Sequence, residues 1–227
     1  MQDGLEALFV FQERAGDRVL DVAGVLDLTI KDPTAVDWMT RGLRIARPTT
    51  LTPIGSSKRL IDRLRATNAL TVEAWLRCTE DIAPNVDRGR IVAISGGPGT
   101  RNFMLAQFGG RKLVARLRTT GTDLAGVVRL QDDKHVSPES SNVSGLAHVV
   151  FTRDVAGRVR LYVDGRDPVT TRPAVDGQFT NWDKNFKLYL GNESTGDRAW
   201  LGEYFLIAIY SRALSDTEVA KNFAAGA

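Results

Sequence analysis

The sequence has one cysteine, Cys78, in 227 residues. No internal disulfide can form, so the fold is not a small stapled scaffold and must build its own core. One cysteine and two histidines, His135 and His148, cannot fill a tetrahedral zinc site without carboxylates. No apolar run approaches the roughly 20 residues of a membrane-spanning helix. The start, Met1-Gln2-Asp3-Gly4, has no charged, apolar and small-residue leader. The readings left are a cytoplasmic start, a removed leader or an excision from a longer chain. No block of like charge stands out: 30 basic residues face 27 acidic ones, for a net charge of +3. A nucleic-acid face would need a denser basic stripe, so no nucleic-acid partner is expected. Neither a fixed-period repeat nor a βαβ rhythm is visible.

What the sequence has is strands. Hydrophobic residues make up 43% of the chain, ample for a large core. Residues 71–78 alternate, with Val72, Ala74, Leu76 and Cys78 on one face and Thr71, Glu73, Trp75 and Arg77 on the other. Two hairpins are expected, one around Gly109-Gly110 and one around Ala156-Gly157. A further strand is expected over residues 125–130, and polar residues 131–145 read as a surface loop. Residues 56–68 form an amphipathic helix whose stripe is Leu60, Ile61 and Leu64, and Trp75 on the next strand is the expected cover for that stripe.

The chain is organised around residues 200–227. From 204 to 210 nearly every residue is apolar, so both faces of that strand are greasy and it belongs in mid-sheet. Phe205, Ile207 and Ile209 fall on one face at a period of two, which is expected to meet the opposite sheet. Ser215 and Glu218 then form a capping box for a closing helix carrying Val219 and Phe223. The pattern predicts an all-β protein, a two-sheet antiparallel β-sandwich of the jelly-roll kind with one short internal and one C-terminal helix, as a single domain over 1–227.

Four stretches resemble the laminin-G-like domains of the concanavalin A-like lectin/glucanase superfamily. GEYFLIAIYSRALSDTEV (202–219) is similar to that family's closing "IYxRALSxxEV", and TNALTVEAWLRC (67–78) to its "lTvEaWv" strand. HVVFTRDVAGRVRLYVDG (148–165) is similar to its "HvvyTrd" hairpin, and FVFQERAGDRVLDVAG (9–24) to its opening strand. The resemblance implies a jelly roll, an extracellular or surface-exposed setting and a role in recognition. It also implies a structural calcium ion held by an early acidic region, here Glu13 and Asp21. The family's frequent acidic residue in the final strand falls on Phe205, with Glu203 two residues earlier.

Sugar binding is the family's other habit. It needs an aromatic plate for the pyranose and flanking amides and carboxylates for the hydroxyls. Two loops hold these ingredients. One has Asn181, Trp182, Asp183 and Asn185; the other has Asn192, Glu193, Asp197, Arg198 and Trp200. Each tryptophan could equally be a packed anchor for its loop. Arg116, Arg118, Arg153, Arg158 and Arg160 would make a basic patch if the two hairpins were neighbours.

Catalytic signals are missing. The glucanases' "ExDxxE" strand pattern does not occur, and the nearest acidic pairs, Glu80-Asp81 and Asp132-Asp133, sit in loops. No GxSxG elbow is present, and His148, in phase with Leu146 and Val150, reads as a packed core residue. The expected function is therefore non-catalytic: a recognition module that binds glycan or protein through rim loops. The alternatives are a structural or assembly subunit of a larger complex, and a glycoside hydrolase.

Overall fold

The computed structural model describes residues 3–24, 26–78, 88–108, 112–126, 145–168, 170–172 and 175–227. Both acidic loop pairs, His135, the Gly109-Gly110 turn and residues 127–130 of the expected strand lie outside them. The strands are β1 (Leu5–Phe9), β2 (Arg18–Val19), β3 (Leu28–Ile30), β4 (Val36–Trp38), β5 (Leu43–Ile45) and β6 (Leu51–Pro53), followed by helix α1 (Lys58–Thr67). Then come β7 (Leu70–Cys78), β8 (Arg88–Gly97), β9 (Thr100–Phe108), β10 (Lys112–Leu117), β11 (Ala147–Arg153), β12 (Val159–Val163) and β13 (Thr170–Arg172). Strands β14 (Lys187–Leu190) and β15 (Gly202–Tyr210) and helix α2 (Asp216–Ala225) complete the order.

These strands form two antiparallel sheets. The first runs β13-β12-β11-β7-β15-β5-β4, with β1 also paired to β15; the second runs β10-β9-β8-β14-β6-β3-β2. Their facing sides share one apolar cluster, to which β7 gives Val72, Ala74, Leu76 and Cys78, as the alternation predicts. This is the expected two-sheet antiparallel β-sandwich. The five arginines do not join, because β9–β10 lies in one sheet and β11–β12 in the other. Arg153 is buried and donates to the carbonyls of Asn68, Val175 and Gly177, while Arg158 pairs with Asp154.

Strand β15 sits in mid-sheet. Ile207 lies opposite Ala74 on one side and Phe9 on the other; Ile209 lies opposite Val72 and Ala7. The expected face assignment fails at one residue. Between Tyr204 and Leu206 the register against β7 slips, and Phe205 is the extra residue of a β-bulge. The slip turns Tyr204 inward with Ile207 and Ile209. The Tyr204 ring stacks on Phe11 with centroids 5.2 Å apart, and its hydroxyl donates to the Ile91 carbonyl at 2.6 Å. Phe205 is left on the outer side, 5.6 Å beneath the Arg77 guanidinium.

Helix α1 buries Leu60, Ile61 and Leu64 in the main core, and Asn68 ends it in the left-handed region at φ 53°. It does not cover Trp75. That ring lies on the outer face of the first sheet, where Phe223 of α2 stacks on it at 5.7 Å. Helix α2 crosses this face with Val219 fully buried against Val150, Tyr162 and Tyr210. Its capping box is complete: Ser215 Oγ accepts from the Glu218 amide, and Glu218 accepts from the Ser215 amide.

Truncating Ile207 to alanine is expected to cost about 2–5 kcal/mol, as for other buried large-to-small changes. Ser215→Ala should cost only about 0.5–2 kcal/mol, both read from urea unfolding. A cap variant more damaging than Ile207→Ala would mean that β15 is not central. Arg212 makes two hydrogen bonds to Glu218 and holds its carboxyl down at about 2. A depressed folded value gives stability that is present above the ordinary value of 4.5 and is lost as pH falls through about 2. Glu218→Gln should flatten the fall of Tm across that window, whereas an unchanged slope would remove the assignment.

Candidate functional site

The loop of residues 191–201 joins β14 to β15 at one rim of the sandwich. Its shape comes from Asn192. The Asn192 Oδ1 accepts from the amides of Glu193 at 2.8 Å and Arg198 at 2.9 Å, while Nδ2 donates to the Gly196 carbonyl at 3.3 Å. The Arg198 carbonyl accepts from the Arg90 amide at 2.9 Å, tying the loop to β8. Gly202 opens β15 beside the loop: a Cβ there would strike the Trp200 ring and come within 2.7 Å of the Arg77 carbonyl oxygen.

Beneath the loop lies a buried ion pair. Glu193 is 1% and Arg90 2% exposed, and Arg90 Nε donates to Glu193 Oε2 at 3.3 Å. Ser95 Oγ and the Ser194 amide donate to the other carboxylate oxygen. Burial pulls the Arg90 guanidinium below its ordinary value, and the Glu193 carboxylate pulls it partly back. Both charges need the pairing, because an isolated buried charge is costly.

Above the pair the tip is polar and open. Thr195 Oγ1 donates to Asp197 Oδ1, which holds the Asp197 carboxyl below the usual range; Arg198 Nη1 lies 3.7 Å from Asp197 Oδ2. Beside it on β14, Tyr189 lies opposite Ala93 and points away from the core that takes Leu188 and Leu190. Tyr189 is half-buried, and its hydroxyl is pushed up first by that burial and then by Glu193. Sequence reasoning passed over Tyr189 and Arg90. The two-residue alternation of residues 187–190 was the signal for Tyr189. For Arg90 no local signal existed, since its partner lies 103 residues away.

The second loop lies at the other end of β14. There Asn181 Nδ2 donates to the Thr119 carbonyl, and the Asp183 amide and carbonyl pair with the Asn102 side chain. Trp182 is buried, stacked on Phe179 at 4.4 Å, and donates to the Arg118 carbonyl at 2.6 Å. Trp200 is also buried, with Nε1 donating to Gln107 Oε1 at 2.9 Å and its ring 4.6 Å from Tyr204. Both tryptophans anchor loops from within. The structure thus brings Asn192, Glu193, Asp197 and Arg198 together and leaves Asn181, Trp182 and Asp183 apart from them.

Asp21 accepts from three backbone amides, of Leu8, Ala23 and Leu26, at 2.8, 3.1 and 3.1 Å. It clasps β1 to the turn after β2. Glu13 accepts from the Leu20 amide, and Glu203 is paired with Arg77. Amide donors point at Asp21 where a calcium ion needs oxygen acceptors. Among the described residues no group of three or more His, Cys, Asp or Glu is placed to hold a metal. The Asp21 oxygens are thus held by amides, while Glu13 Oε2 is buried without a hydrogen-bond partner among the described residues.

Residues 55–220 match a laminin G family model of the concanavalin A-like lectin/glucanases superfamily. The chain belongs to this family. Among solved structures, the laminin-G-type sandwich is similar to the Trypanosoma rangeli sialidase in complex with 2,3-difluorosialic acid. The TM-score is 0.67 at 18% identity, over 97% of this chain and 33% of that one. It is also similar to botulinum neurotoxin type C, from a study reporting that the toxin's cell entry depends on interaction with two ganglioside molecules. There the TM-score is 0.66 at 11% identity, over 98% of this chain and 51% of that one. These likenesses show the fold alone, and the chain spans about a third to a half of the length of those proteins. No curated protein matches it. Among the described residues, no helix is long and apolar enough to cross a membrane.

Glu193→Leu should cost about 3–5 kcal/mol, the usual penalty for breaking a buried pair from one side. Asp197→Ala, at the exposed tip, should stay within about 0.5 kcal/mol. Urea unfolding of the two variants checks this, and equal costs would contradict a buried pair beneath the loop.

Proposed function

We propose that this laminin-G-type sandwich is a non-catalytic recognition module that binds glycan at the rim formed by residues 191–201 and Tyr189. The observation that carries the reading is the loop's construction. Asn192 fixes its backbone with three hydrogen bonds, and a buried ion pair supports it from below. A loop ordered before binding loses little entropy on binding. Thr195, Asp197 and Arg198 supply hydroxyl, carboxylate and guanidinium groups for sugar hydroxyls, and the half-exposed Tyr189 ring supplies the plate. Among the described residues the buried carboxylates Asp21, Glu73 and Glu193 are each engaged by their own partners, which favours binding over hydrolysis. The ganglioside interaction reported for the botulinum toxin of similar fold supports the same direction.

A glycan array probed with the purified chain tests the reading. Arg198→Ala and Tyr189→Ala should each weaken the strongest interaction at least tenfold while leaving Tm nearly unchanged. An array without binding, or binding indifferent to both substitutions, would overturn it. A second reading, docking into a larger assembly, draws on the exposed side chains of Leu20 and Val22, just after the edge strand β2. Light scattering that shows only monomer at high concentration would count against self-assembly through that edge.

A further inference from the structure

The outer face of the first sheet holds a feature that the rim does not use. Between α2 and the sheet lies a cavity of about 300 Å³. Leu5 and Leu8 of β1, Leu206 of β15 and Trp75 of β7 give it apolar walls; Glu73, Tyr210 and Asn222 line it with polar groups. Glu73 is 3% exposed. Its Oε2 accepts from the Tyr210 hydroxyl at 3.1 Å and the Asn222 amide at 3.0 Å, and its Oε1 lies 2.7 Å from His148 Nε2.

A carboxylate accepts about four hydrogen bonds. Among the described residues three groups reach it, two on Oε2 and one on Oε1, so the carboxylate keeps one acceptor position. Among the described residues no lysine, arginine or histidine lines the cavity, Glu73 is the one acidic residue that does, and His148 meets it from behind the wall. Apolar walls, a single carboxylate and a spare acceptor select a particular chemistry. A cation with N–H donors satisfies both the charge and the acceptor, and a hydrocarbon body satisfies the walls. An anion is repelled, and a neutral alcohol gains the hydrogen bond without the charge attraction. The volume is at the lower end of small-molecule sites, which start at about 300 Å³.

We propose that this cavity is a binding site for a small primary alkylammonium, its amine on Glu73 and its chain against Leu5, Leu8 and Leu206. The site is independent of the glycan reading, since it shares no residue with the rim loop.

Isothermal titration calorimetry on the full chain tests it, with n-hexylamine as the probe and 1-hexanol and hexanoate as matched controls. Hexylamine should bind one-to-one and at least tenfold more tightly than hexanol, with no binding of hexanoate. Glu73→Gln should bring hexylamine down to the level of hexanol. Because Glu73 is buried and that variant could fail to fold, Ala225→Phe provides the second arm. Ala225 is exposed on α2 and lines the cavity, so a phenyl group there should block entry and abolish amine binding. No hexylamine binding to the parent chain, equal affinity for all three probes, or amine binding unchanged by Ala225→Phe would each overturn the proposal.

Discussion

The structure depends on the pairing of β15 on both sides. Its backbone is bonded to β7 along one edge and to β1 and β5 along the other, so its buried amides find partners without help from side chains. The bulge at Phe205 lets one strand serve two surfaces. Before it, Tyr204 reaches the core; after it, Ile207 and Ile209 do, while Leu206, Ala208 and Tyr210 face α2. An unbroken two-residue alternation would have placed Phe205 in the core and Tyr204 outside, leaving the Ile91 carbonyl without its hydroxyl donor. The core, the cavity under α2 and the anchoring of the rim loop all follow from that one extra residue.

Much of this was legible in the sequence. The greasy run of residues 204–210, the SDTE cap and the alternation of residues 71–78 each correspond to an element of the structure, because each is a local pattern with one physical reading. The bulge was not legible. Nothing within the strand distinguishes Phe205 from its neighbours, and the register slip is set by contact with β7, more than 120 positions earlier in the chain. Trp75 was misassigned for a similar reason: α1 is its sequence neighbour, but α2 is its neighbour in space. The rim was half legible. Asn192, Glu193, Asp197 and Arg198 cluster in sequence and in space, whereas the buried role of Glu193 came only with Arg90. Trp182 and Trp200 have the residue type of sugar plates, but their indole nitrogens are committed to Arg118 and Gln107.

Glu73 and Glu193 show how this sandwich accommodates buried charge. Glu193 neutralises a buried arginine and fixes a loop. Glu73 collects donors from β11, β15 and α2, and so ties the closing helix to the sheet. Buried pairs of this kind add little net stability over well-packed apolar groups, but removing one partner is expensive. In this chain they specify geometry: the position of the rim loop in one case and the seat of α2 in the other.

Residue-resolved hydrogen exchange of the native chain tests this account most directly. The amides of Ile207 and Ile209 should exchange only through global unfolding, at the free energy obtained from urea unfolding. In the same experiment the Glu193 and Arg198 amides, both bonded to Asn192, should exchange far more slowly than the amide of Thr195 at the open tip. If Ile207 and Ile209 exchanged as fast as the edge strand β4, or if Glu193 and Arg198 exchanged as fast as Thr195, then neither the central strand nor the pre-ordered rim described here would exist in solution.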